Sequence, residues 1–114
     1  MEVQGRCAWW VGKPLLHLAA HRFLPQAAPI AALRLGDLRI LASPFELGVE
    51  VAEAIRRRSP RPLLVAAHAD AWLGYLLEPE DYDRGGYEPC MAFHGRYLAP
   101  LFEEEAGRVL GALP

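Results

Sequence analysis

The stretch "AALRLGDLRILASPFELGVEVAEAIRRRSPRPLLVAAHA", residues 31–69, decides the fold. Apolar residues alternate on either side of Gly36-Asp37, a two-residue turn that closes a β-hairpin. Pairing through that turn sets Leu35 beside Leu38 and Leu33 beside Ile40 on one face. On the other face Arg34 meets Arg39, a like-charge pair that calls for an acidic neighbour. The segment 43–59 then reads as a helix: Ser43 serves as its cap, Pro44 takes the first position, and Phe45, Val49, Ala52 and Ile55 recur at helical spacing. "RPLLVAAHA" closes the stretch as a short, nearly all-apolar run, which predicts a strand covered on both faces. Strand, helix and strand in that order make a right-handed crossover with two parallel strands.

Outward from this unit, "KPLLHLAAHRFLP", residues 13–25, predicts a preceding helix with Pro14 in its first turn and Pro25 at its stop. Residues 92–113, "AFHGRYLAPLFEEEAGRVLGAL", predict a last helix that packs through Tyr97, Leu98, Leu101, Phe102, Val109 and Leu110. Pro100 would shorten or kink its first turns. The expected architecture is therefore α/β over residues 1–114 as one domain: a small mixed sheet with a β-hairpin and a right-handed βαβ crossover, flanked by helices.

More than half of the 114 residues are hydrophobic, and a chain so small and apolar is expected to bury surplus surface in a homo-oligomer or against a complementary chain. The net charge of −2 comes from interspersed acids and arginines, which gives a nucleic-acid role little support. No segment reaches the length of a membrane span, and "MEVQGRCAWWVGK" does not read as a signal peptide, so a cytoplasmic home is expected. Cys7 and Cys90 lack a second pair and indicate neither a disulfide framework nor a four-cysteine zinc site. Adjacent Trp9 and Trp10 would, in a strand, turn one ring outward as a contact surface. The absence of Asn and Thr and the preference for Arg over Lys fit a heat-adapted source or a G+C-rich genome.

Ligands in open α/β sheets gather beyond the carboxyl ends of parallel strands. Glu46 lies just past the first such end, and His68, Asp70 and Tyr75 lie at or past the second. There begins "GYLLEPEDYDRGGYE", residues 74–88, a long polar connection dense in tyrosines and acids. Three features, "LRLGDL", "SPFE" and this connection, give the chain from about residue 31 to 112 a resemblance to the neutral, non-lysosomal ceramidases, which are zinc-dependent amidohydrolases. The segment resembles the C-terminal part of that family's catalytic domain. The resemblance implies Glu46 and Tyr75 as zinc ligands and Tyr87 as a donor to the oxyanion. It also implies histidines, a nucleophilic serine and an arginine from an N-terminal portion that has no counterpart here.

Each of these residues also has a purely structural explanation. Ser43 to Glu46 has the form of a capping box, in which the glutamate returns to the N–H of its own cap. Tyr75 and Tyr87 read equally as core rings with hydrogen-bonded tips, and Gly85-Gly86 as a turn with positive φ. His68 is a weak metal candidate that also suits a hydrogen-bonded core histidine. His17 and His21 stand at a metal-binding spacing, but their face carries Lys13, which points to solvent. Glu103-Glu104-Glu105 reads as a solvated face with Glu104 paired to Arg108.

The expected function is a non-catalytic ceramidase-like remnant that self-associates or serves as an interaction module, with no cofactor of its own. The alternative is part of a zinc-dependent amidohydrolase completed by a further N-terminal region or a partner chain.

Overall fold

The computed structural model describes residues 12–114. The expectations for Cys7, Trp9 and Trp10 lie outside the described residues. Helix α1 (Gly12–Phe23) leads into the hairpin β1 (Ala31–Leu35) and β2 (Leu38–Ala42), followed by β3 (Glu46–Leu47), α2 (Val49–Arg58) and β4 (Leu63–Ala66). The chain continues through β5 (Tyr75–Leu76), α3 (Pro79–Arg84), α4 (Tyr87–Cys90) and α5 (Leu98–Gly111). The strands form a mixed sheet in the order β1-β2-β4 and a second, two-stranded sheet of β3 and β5.

The hairpin has the expected register, with Leu35 opposite Leu38, Leu33 opposite Ile40 and Arg34 opposite Arg39. Gly36 adopts φ +60°, which is why the tight turn falls there. Among the described residues no acidic side chain pairs with either arginine; Arg34 Nε and Arg39 Nη1 both donate to the Gly36 carbonyl, at 3.0 and 3.2 Å, and Arg34 Nη1 donates to the Pro114 oxygen at 2.5 Å. Strands β2 and β4 are parallel neighbours joined through α2, with Arg39 opposite Leu63 and Ala42 opposite Ala66.

Three readings of local pattern are corrected. Ser43 does not cap a helix: its Oγ accepts the Phe45 N–H at 3.1 Å, and Glu46 lies in β3 instead of a first helical turn. The helix starts at Val49 and buries Val51 and Ile55, leaving Val49 exposed. The connection 74–88 is not one loop, because it holds β5, α3 and the start of α4. The last helix begins at Leu98 and not at Ala92, so Tyr97 and Leu101 stay exposed while Ala99, Phe102, Glu103 and Ala106 form its buried stripe.

The core lies between one face of the sheet and helices α2 and α5. It gathers Leu41, Phe45, Val51, Ile55, Leu73, Leu76, Ala99, Phe102 and Ala106. Among the described residues the other face is left open, so β4 is not covered on both sides as its apolar run predicted. Leu33, Leu35 and Leu64, which share that face with Leu38 and Ile40 by register, remain 53, 57 and 49 % exposed. Among the described residues no helix is long and apolar enough to cross a membrane.

Glu103 overturns the solvated reading of the acidic run, being only 5 % exposed. Its Oε2 meets Arg58 Nη2 at 3.1 Å, while Oε1 is buried without a fixed donor. Glu78 is the neighbouring carboxyl whose hold on a proton is strengthened here. Its hydrogen bond to Glu103, then burial and the charges of Glu103, Glu80 and Asp81, push its carboxyl from the ordinary 4.5 up to about 7. Glu105, and not Glu104, pairs with Arg108.

A pH dependence follows. Between pH 4.5 and about 7 the folded chain holds a proton that the unfolded chain has released, so this pair's stabilisation is full below that window and lost as pH rises through it. Glu78 is only partly buried and therefore screened, which limits the loss to about 1 kcal/mol. His94 acts in the opposite sense, because burial, then His21, lowers its pKa from 6.5, and stability is lost as pH falls below that value. Glu78→Gln keeps a donor to Glu103 but does not titrate. Urea midpoints measured across pH 4.5–7.5 are expected to decline less towards neutrality in this variant than in the wild type, with the acid-side loss from His94 unchanged.

Candidate functional site

The backbone explains how Glu46 and Tyr75 meet. After β2 the chain turns at Ser43-Pro44, where Ser43 N donates to Ala66 O at 2.8 Å and Ser43 O accepts Ala69 N at 2.9 Å. This holds the exit of β2 against the exit of β4. Leu73 N then donates to Pro44 O, and Glu46 N to Gly74 O, so that β3 and β5 run parallel with Glu46 directly opposite Tyr75. Neighbouring positions on parallel strands send their side chains to the same side. The Tyr75 hydroxyl consequently donates to Glu46 Oε1 at 2.9 Å.

His68 joins from the loop after β4. Its Nε2 lies 3.2 Å from Glu46 Oε2, so the two carboxylate oxygens face a phenol and an imidazole. Both His68 and Asp70 have left-handed backbones, with φ of 53° and 62°. Such conformations store strain and recur where the chain aims side chains at a site. His68 is half-exposed, so it is not the core histidine of the structural alternative.

Tyr75 is a poor phenolate. Burial, followed by its hydrogen bond to Glu46 and the charges of Glu46 and Glu88, pushes its pKa up to about 12. Tyr87 opens α4 with its ring 6.1 Å from that of Tyr75, edge to face, and is 63 % exposed. It is therefore not a core ring, whereas Tyr75 is partly buried. Gly85 and Gly86, at φ 77° and 120°, provide the predicted turn before Tyr87. Arg96 fastens the far side of this segment with a two-pronged contact to Asp83, at 3.0 and 2.6 Å.

Beside the pair lies a cleft of about 370 Å³, lined by Glu46, Glu50, Tyr75, Asp81, Arg84 and Glu88 among others. Four carboxylates face one guanidinium, itself bonded to Asp81 at 2.8 Å. The local field favours cations. Glu50, Asp81 and Glu88 were not singled out from the sequence, because acids at helix starts ordinarily serve the helix dipole.

His17 and His21 do not contribute here and do not face solvent together. His17 Nε2 lies 3.2 Å from Cys90 O and its ring packs on Phe93 at 5.4 Å, while His21 meets His94 edge to face at 5.8 Å.

The resemblance implies a zinc ion at these donors. A structural zinc takes four ligands, and a catalytic one three protein ligands and an open position. Glu46 provides a carboxylate, but the phenol beside it is held protonated and the imidazole is turned onto the same carboxylate. Among the described residues no three His, Cys, Asp or Glu side chains cluster as a metal site. The side chains described do not by themselves fit a zinc shell.

No family model matches the sequence, and no curated protein does. Among solved structures, the chain is similar to a neutral ceramidase from Pseudomonas aeruginosa and to a ceramidase complexed with C2. Each superposes with a TM-score of 0.69 at 24% identity over 78% of this chain. The chain shares the fold of one part of those molecules and spans 15% of their length.

Proposed function

We propose that this ceramidase-like segment does not hydrolyse an amide by itself, and that it presents Glu46 and Tyr75 as one corner of an amidohydrolase site completed by other polypeptide. The observation that carries this reading is the 2.9 Å bond between the two side chains, formed where two parallel strands end side by side. Such a pair offers oxygen donors to a metal, and the acidic cleft beside it attracts a cation. Tyr87, exposed next to Tyr75, has an O–H suited to developing negative charge. The likeness in fold to one part of the neutral ceramidases supports the same reading.

The test is turnover of a fluorogenic N-acyl amide by the purified chain with zinc in excess. No turnover above buffer is expected. Hydrolysis that disappears in Glu46→Ala would overturn the proposal.

A second reading, a self-associating module, is favoured by the open leucine face of the sheet. A face of this kind is what an oligomer buries. Leu33→Glu combined with Leu64→Glu changes exposed positions and leaves the core untouched. If the module self-associates, light scattering will give a multiple of 12.7 kDa for the wild type and a single-chain mass for the double variant. A wild-type chain that is monomeric at high concentration removes this second reading.

A further inference from the structure

A second cavity lies at the opposite end of the main sheet, and it is independent of the Glu46–Tyr75 corner. It encloses about 420 Å³, within the range of small-molecule pockets. Arg39 comes from the start of β2, Arg58 from the end of α2 and Arg61 from the loop before β4, so three arginines line one space. They face a single lining carboxylate, Glu103, which Arg58 and Glu78 already engage. Arg39 contacts the Gly36 carbonyl and Arg61 contacts Asp37 at 3.4 Å. Each arginine makes one such contact among the described residues, although a guanidinium carries five N–H donors.

The remaining wall is apolar, formed by Ile55 of α2 and Leu110 of α5. Between them α5 places Gly107 and Gly111, one turn apart, and a Cβ at either would meet nothing within 4 Å. A glycine inside a helix costs about 1 kcal/mol relative to alanine. Gly107 lies inside the helix and Gly111 ends it, and both line the space beside the arginines without a side chain of their own.

We infer that this cavity binds a small amphipathic anion: a carboxylate or phosphate monoester on a short apolar stem, its head among Arg39, Arg58 and Arg61 and its stem along Ile55, Leu110 and the two glycines. Guanidiniums match both heads through paired N–H donors, and the apolar wall selects for the stem.

Isothermal titration of the full chain with octanoate and with octyl phosphate tests this, with octanol and inorganic phosphate as controls. At least one of the two amphiphiles is expected to bind once per chain, at least about tenfold more tightly than either control. Arg61→Gln, at a half-exposed position away from the core, is expected to weaken that binding by about tenfold or more. Gly107→Leu is expected to fill the space and abolish binding while raising the melting temperature, since leucine is the better helix former. Equal binding of octanol would reduce the cavity to a greasy cleft, and equal binding of phosphate would reduce it to a charged surface. Binding that survives Gly107→Leu, or no binding of either amphiphile up to about 10 mM, would also overturn the inference.

Discussion

Gly74→Ala is expected to destabilise the chain by about 3 kcal/mol and to separate Tyr75 from Glu46. Gly74 has φ +91°, a backbone that side chains rarely adopt. Strain is the smaller part of the effect. A Cβ at this position would fall on the Met91 carbonyl and stand 2.7 Å from Phe93 Cδ2. Neither neighbour can yield easily, because Met91 O accepts the Tyr75 N–H at 2.9 Å and Phe93 is buried beneath Trp72 and His17. Relieving the clash moves the start of β5, and with it the Gly74 carbonyl that accepts Glu46 N at 3.0 Å. The urea midpoint should fall accordingly. A stability unchanged within about 0.5 kcal/mol would show that β5 does not approach Met91 as described.

Phe45→Ala is expected to remove about 4 kcal/mol, a large share of the 5–15 kcal/mol typical of a domain. The ring is buried and stands edge to face with Phe102 at 5.6 Å and with His94 at 5.8 Å. It joins the bend before β3 to helix α5, so its loss opens a cavity in the core. Phe45→Leu should recover most of the stability, because it restores volume without the ring contacts. Denaturant titration of both variants checks the order: wild type, then leucine, then alanine. An alanine variant as stable as the leucine variant would contradict the packing.

The hairpin and the parallel β2–β4 pair were legible because their signals are local: alternation, a Gly-Asp turn, and a short apolar run after a helix. The same topology led from sequence to the neighbourhood of Glu46, His68 and Tyr75, since loops after parallel strands converge. Ser43 to Glu46 was misread because the local pattern of a capping box was complete. What defeats it is a partner far along the chain, the Gly74 carbonyl, which takes Glu46 N into a two-residue strand. Glu103 was misread for a related reason. Three consecutive glutamates look solvated, but the helical stripe of Ala99, Phe102 and Ala106 turns one of them inward, and Arg58 and Glu78 from distant segments accommodate it. The open face of the sheet was hidden too, because an all-apolar strand has the same composition whether a second layer covers it or not.

Glu46 and Tyr75 form an ordered corner whose two oxygen donors are, in the reading proposed above, insufficient to hold a metal alone. Equilibrium dialysis of the chain against zinc, followed by metal analysis, tests it directly. No stoichiometric zinc is expected to be retained at neutral pH. One zinc per chain, lost in both Glu46→Ala and Tyr75→Phe, would contradict it.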